Sequence, residues 1–236
     1  MTKNIPTPKR VLAVFAHPDD MDFSSSGTMG KWAAGGAHIT YLVCTDGSKG
    51  SDGPTMTPAK LARIRKGEQE DAARVLGVAE VIILKHRDGE LIADYKLKGE
   101  ITKVIRHTKP DVVVTLDPTL FYSTERGMIN HSDHRAAGLA AMDAVYPIAR
   151  DRLNFPEHEK AGLAPHKTKT LLFVSWEGAE HFEDISATFE KKIEALRAHA
   201  SQVPDGFEKR VRDRATVLGK KAKVRYAEGF KKIELS

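Results

Sequence analysis

Residues 11–22 read VLAVFAHPDDMD. Six apolar residues end abruptly in a histidine, a proline and three carboxylates. A strand with one face in water alternates apolar and polar side chains; an unbroken apolar run indicates a strand covered on both faces. Pro18 ends it. Carboxylates crowded as closely as Asp19, Asp20 and Asp22 repel one another, so positive charge is expected among them.

The same punctuation recurs along the chain. Further strands are predicted at 38–45 (HITYLVCT), 81–84, 111–116 (DVVVTL) and 170–176 (TLLFVSW). Helices are predicted at 27–34, 59–76, 97–108, 132–145, 185–200 and 207–225, several stopped by glycine or proline as at Gly77 and Pro110. Strands separated by crossover helices define an α/β chain: a Rossmann-like three-layer fold with a mostly parallel central sheet. No repeat or linker interrupts the chain, so residues 1–236 are expected to form one domain, with a basic helical C-terminal segment at about 204–236. In such folds ligands bind beyond the C-terminal ends of the strands. There lie HPDD (17–20), TDGSKG (45–50) and DPTLFY (117–122).

Composition narrows the setting. Of 236 residues, 41% are apolar and 29% charged, as in a globular protein. The longest apolar runs fall far short of the ~20 residues of a membrane span. MTKNIPTPKR at the start carries no apolar stretch of a secretory signal, and Cys44 is the single cysteine; together they lead us to expect a cytoplasmic protein without a membrane partner. The net charge is a modest +5. Lys and Arg cluster towards the C-terminus, but no aromatic-rich basic motif accompanies them, so no nucleic-acid partner is expected.

A second polar cluster, NHSDHR at 130–135, opens a predicted helix. Alone, it reads equally as a helix cap and a surface histidine. Beside HPDD it reads as metal binding. His17, Asp20, His131, Asp133 and His134 all carry zinc-ligand atoms, and catalytic zinc takes three protein ligands while leaving a position open.

These motifs resemble the LmbE/PIG-L family of zinc-dependent N-deacetylases. The resemblance rests on AHPDD (16–20) and HSDH (131–134), with TDGSKG (45–50), RKGE (65–68), HRDGEL (86–91) and ALRAHASQ (195–202) in support. It implies His17, Asp20 and His134 as ligands of one zinc ion per chain. It implies Asp19 as general base for the attacking water and His131 as the group that stabilises the tetrahedral intermediate or protonates the amine. Asp133 would orient His131 or its loop. Many members carry Glu where this chain has Met21; Asp22 is the candidate to supply the lost charge.

Arg65, Asp88 and Asp46 are candidates for substrate binding, although Arg65 and Glu68, one helical turn apart, also suit an ion pair. Trp176 suits sugar stacking or core packing, His199 a structural role, and YSTERGMI (122–129) a specificity loop. The expected activity is removal of an N-acetyl group from a small molecule, on the resemblance an N-acetylglucosaminyl compound, by a protein that forms homo-oligomers. Two alternatives stay open. One is a zinc amidase acting on a thiol conjugate or an N-acyl amino acid derivative. The other is a metal-dependent sugar-nucleotide transferase using the Asp20/Asp22 pair.

Overall fold

A computed structural model describes residues 4–175 and 177–236. The chain opens with β1 (Arg10–Phe15), α1 (Asp20–Ser24), α2 (Ser26–Ala34) and β2 (His38–Thr45). Then come α3 (Pro58–Leu76), β3 (Glu80–His86), α4 (Tyr95–Thr108) and β4 (Val112–Leu116). A short hairpin, β5 (Tyr122–Ser123) and β6 (Met128–Ile129), leads into α5 (Ser132–Asp143) and a π-turn over Ala144–Ile148. The last part holds α6 (Pro156–Lys160), β7 (Thr170–Val174), β8 (His181–Asp184), α7 (Phe189–Ala198), α8 (Phe207–Ala222) and β9 (Ala227–Glu234).

The main sheet has the order β3-β2-β1-β4-β7-β9-β8, with the first five strands parallel. β1 shows why its run is apolar throughout. Val11, Ala13 and Phe15 enter one buried layer with Trp32, Tyr41 and Leu76, while Leu12, Val14 and Ala16 enter the other with Leu97, Ile101 and Ala140. Each large side chain so buried contributes about 1.5–3 kcal/mol. The sheet is thus covered on both faces, the expected three-layer α/β arrangement. Sheet order reverses between β1 and β4, which opens a crevice above their C-terminal ends.

The C-terminal segment differs from the sequence expectation. It is helical over Phe207–Ala222, but Ala227–Glu234 is a strand, antiparallel to β7 and to β8. Both new strands bury carboxylates, which hides them from a hydrophobic pattern. Glu183 of β8 accepts from Ile5 N (2.7 Å) and Lys31 Nζ (2.9 Å) and pairs with His181 (2.8 Å). Glu228 of β9 accepts from Gly27 N (3.0 Å), Thr28 N (2.7 Å), Thr28 Oγ1 (2.6 Å) and Lys192 Nζ (2.6 Å). The helix expected at 185–200 starts later, at Phe189, with His199 as its C-terminal cap. Among the described residues, no helix is long and apolar enough to cross a membrane.

Two predictions follow from these buried carboxylates. Lys192→Met leaves the Glu228 carboxylate buried without its cation and is expected to cost about 3–5 kcal/mol in denaturant unfolding; an unchanged midpoint would contradict this. For Glu183, burial acts to raise the pKa, but the His181, Ile5 and Lys31 contacts outweigh it and hold the carboxyl below its ordinary value. A depressed folded-state pKa gives stability that is present above the unfolded value and lost as pH falls through the folded one. Wild type should therefore lose more stability than Glu183→Gln as pH drops below about 4.5.

Candidate metal centre and cavity

The site is built on the loop after β1 and the first turn of α5. His17 N donates to Asp20 Oδ2 (2.8 Å), which folds the loop back on itself. Asp19 sits at φ 91°, the left-handed region that costs a residue with a Cβ about 1–3 kcal/mol. α5 approaches β4 closely because position 138 is glycine; a Cβ there would collide with the Leu116 carbonyl oxygen. His131 caps α5, its Nδ1 accepting from Asp133 N (3.1 Å).

His17 stands between two groups of ligands. Its Nδ1 lies 3.4 Å from Asp20 Oδ2. Its Nε2 lies 3.2 Å from Asp88 Oδ1 and 3.3 Å from Asp133 Oδ2. His134 Nε2 lies 3.1 Å from Asp20 Oδ1, and its Nδ1 lies 3.0 Å from Asn130 Oδ1. The amide oxygen of Asn130 only accepts, so Nδ1 carries the proton and Nε2 offers a lone pair towards Asp20. An outward donor of this kind commonly orients a metal-ligating histidine. Two triples bring one ligand atom from each residue within 4.8 Å of one another: His17, Asp20, His134 and His17, Asp88, His131. Imidazole nitrogen and carboxylate oxygen are the usual zinc donors outside thiolate sites, so the cluster fits a single divalent ion such as zinc.

The electrostatics express the same demand for positive charge. Burial works to lower the pKa of His17, but Asp20, Asp133 and Asp88 overwhelm it and push it up to about 12. Burial works to raise that of Asp20, yet His134 and His17 hold it well below the usual carboxylate range. Asp88 is likewise brought down to about 2, against burial, by His17 and the Lys49 N–H. Asp19 behaves oppositely. Burial and the neighbouring Asp20 push it up to about 7, although Arg65, His199 and His17 pull the other way. The pKa of His131 is lowered by burial and by the charge on His17.

The remaining candidates hold loops. Asp133 is fully buried and accepts from Gly89 N (2.7 Å) and Leu91 N (3.3 Å), fixing the loop that carries Asp88. Asp46 Oδ1 accepts from Ser48 N (3.1 Å) and Asp88 N (3.3 Å). Arg65 does not pair with Glu68, which instead binds Ser201. Its guanidinium donates to Pro18 O (2.6 Å) and Gly47 O (2.9 Å) and lies 3.4 Å from Asp19 Oδ2. Gly47, at φ 61°, leaves room for it; a Cβ would come within 2.8 Å of the guanidinium carbon.

Met21 is buried in the core, and the Asp22 carboxylate, fully buried, receives Gln69 Nε2 (2.7 Å) and faces His199 Nε2 (2.9 Å). Asp20 and Asp22 therefore face different surroundings, which removes the joint diphosphate site of the transferase reading. Asn130 and Gln69 were not singled out in the sequence. Gln69 lies four residues after Arg65 on α3, a spacing that places both on one helix face.

A cavity of about 410 Å³ opens beside the cluster, with Asp20 and His134 in its wall. This size suits a small ligand. Phe23, Leu120, Met128 and Val174 give it apolar surface, and Lys231 of β9 pairs with Asp117 at its edge (2.7 Å). Arg65, Asp88 and Asp46 are not among its lining residues. Met128 belongs to the expected specificity loop; Trp176 lies outside the described residues.

A doubly wound sheet with a His/Asp cluster suited to one divalent metal at its switch point, beside a cavity for a small molecule, is the arrangement of a metal-dependent enzyme. The chain belongs to the PIG-L family, described as GlcNAc-PI de-N-acetylase, whose profile matches residues 12–145. It is 34% identical to the diacetylchitobiose deacetylase of Thermococcus kodakarensis, over 94% of this chain and 82% of that protein. Its structure resembles that of N,N'-diacetylchitobiose deacetylase from Pyrococcus horikoshii, with a TM-score of 0.89, 32% identity and coverage of 96% and 84% of the two chains. The 4-carboxy-2-hydroxymuconate hydratase of Pseudomonas putida shares the fold at 22% identity and a TM-score of 0.82, over 97% of each chain. The protein is a metal-dependent deacetylase for an N-acetylated, sugar-type substrate.

Purified wild type is expected to hold about one zinc per chain. His134→Ala should lose it, and Asn130→Ala should bind it about 10–100-fold more weakly. Elemental analysis and competition with a chelator check both; zinc retained at full affinity in His134→Ala would separate the two motifs.

Proposed function

We propose that the protein hydrolyses the N-acetyl group of a small N-acetylglucosaminyl compound, with His17, Asp20 and His134 as zinc ligands and Asp19 as general base. The observation that carries this reading is that Asp20 and His134 belong both to the metal cluster and to the cavity wall. Asp88 and His131 are the less suitable ligand set. Neither Asp88 nor His131 lines the cavity, whereas Asp20 and His134 do.

Held by His17, Asp20 and His134, a zinc ion would supply Lewis acidity for the amide carbonyl and would make water a better nucleophile near neutral pH. Asp19, held near pKa 7, takes the proton from the attacking water. With Nδ1 of His131 accepting, its proton resides on Nε2, a donor for the oxyanion that forms at the carbonyl. Asp19 returns its proton to the departing nitrogen as the C–N bond breaks, giving acetate and a free amine. Asp133 and Arg65 act behind these groups, through the Gly89 loop and the Pro18 carbonyl respectively. Asp88 and Asp46, on the loops beside His17, remain the candidates for substrate hydroxyls.

The buried single Cys44 supports a reducing, cytoplasmic setting. The exposed Phe121, Tyr122 and Ile129 on the hairpin support a homo-oligomer.

Acetate release from N,N'-diacetylchitobiose tests the reading. Asp19→Asn is expected to lower kcat by about 10²–10⁴-fold with zinc retained. Undiminished release in that variant would remove Asp19 from the mechanism.

A further inference from the structure

Behind Asp19 lies a buried polar chain that the reaction described above leaves unused. Asp19 N donates to Gln69 Oε1 (2.9 Å), Gln69 Nε2 donates to Asp22 Oδ2 (2.7 Å), and His199 Nε2 meets the same oxygen at 2.9 Å. Gln69, Asp22 and His199 are all fully buried. They come from α3, α1 and the end of α7, three elements that pack together at this point.

The order of atoms in the chain matters. An ionised carboxylate only accepts hydrogen bonds, whereas an amide has one accepting and one donating end. Asp22 therefore fixes the amide of Gln69 with its NH₂ inward and its oxygen towards Asp19. Without that lock the amide can rotate, and its NH₂ would then face the Asp19 N–H, donor against donor. His199, donating Nε2–H to Asp22 Oδ2, holds the carboxylate in place. A buried hydrogen bond and the strain of a left-handed residue are of the same order, so the bond from Asp19 N to Gln69 offsets much of that strain and helps hold the Asp19 peptide in its conformation.

We propose that Gln69 is a positioning residue for the hydrolysis and that Asp22 and His199 set the direction of its amide, so that the three hold Asp19 in its left-handed conformation beside the metal cluster. Arg65 grips the preceding peptide from one helical turn earlier, on the Pro18 carbonyl. α3 thus clamps both sides of the residue that takes the proton. This inference rests on Asp19 being the general base.

The test compares wild type, Asp19→Asn, Gln69→Met, His199→Phe and His199→Gln, each checked for folding by circular dichroism and for zinc content. The readouts are kcat and KM for acetate release from N,N'-diacetylchitobiose. In Gln69→Met and His199→Phe, kcat is expected to fall about 10–100-fold, while zinc stays at about one per chain and KM changes by less than about two-fold. His199→Gln, whose amide still donates to Asp22, is expected to keep kcat within about three-fold of wild type. Wild-type kcat in folded, zinc-loaded Gln69→Met overturns the proposal, as does loss of zinc or a His199→Gln as impaired as His199→Phe. Should Gln69→Met fail to fold, Gln69→Leu decides, because it too leaves Asp19 N without its acceptor; wild-type kcat there also overturns the proposal. Full activity in Asp19→Asn would instead refute the base assignment itself, a separate outcome from any of these.

Discussion

One imidazole facing three carboxylates organises the centre. His17, nearly buried, meets Asp20 on one side and Asp88 and Asp133 on the other, all within 3.4 Å. Carboxylates this close are held together only by positive charge, because burial removes the solvent that would otherwise screen them. Each of them is also fastened to backbone N–H groups: Asp20 to His17, Asp88 to Lys49, Asp133 to Gly89 and Leu91. The same carboxylates that crowd the centre therefore pin three separate loops. Charge demand and loop geometry are one constraint.

The sheet makes this crowding possible. β1 and β4 are neighbours whose connections run to opposite sides, so the loop after β1 and the start of α5 meet over the same crevice. α5 reaches that position only by pressing its Gly138 against the end of β4. On the other flank, α3 sends Arg65 and Gln69 under the β1 loop. The strained peptide of Asp19 is held from below by a helix and faces the cluster from above.

Much of this was legible in the sequence because it is written in contiguous segments. The unbroken apolar run of β1, its end at HPDD, and HSDH at a helix start each carry their meaning within a few residues. The misreadings concern residues whose environment comes from far away. Glu183 and Glu228 look like surface charges until Lys31 and Lys192 arrive from other elements to pair with them, and so β8 and β9 went unseen. Glu68 lies in reach of Arg65 along the helix, yet Arg65 occupies the buried face and Glu68 turns to Ser201. Asp22 looked like a replacement charge for the glutamate absent at position 21. Its direction was set by Gln69 and His199, one of which lies 177 residues away.

Fold alone does not decide the reaction, since a hydratase shares this architecture. The chemistry must reside in side chains, and these divide along the chain. The segment matched by the family profile, residues 12–145, contains the metal cluster, Asp19 and its clamp on α3. The far wall of the cavity comes from outside it: Val174 at the end of β7, Ser175 and Glu177 beyond it, and Lys231 on β9. On the proposed reading, bond cleavage and the shape of the space for the rest of the substrate are therefore carried by different parts of the chain. They meet at Asp20 and His134, the two side chains common to cluster and cavity. A change on β9 can alter what fits against the metal centre without touching a ligand, because Lys231 reaches the cavity through Asp117 and not through the cluster. His199 is the exception that ties the halves together. It stands outside the matched segment, yet meets the Asp22 carboxylate that receives Gln69, so the end of α7 supports the loop after β1 while α8 and β9 contribute to the cavity wall.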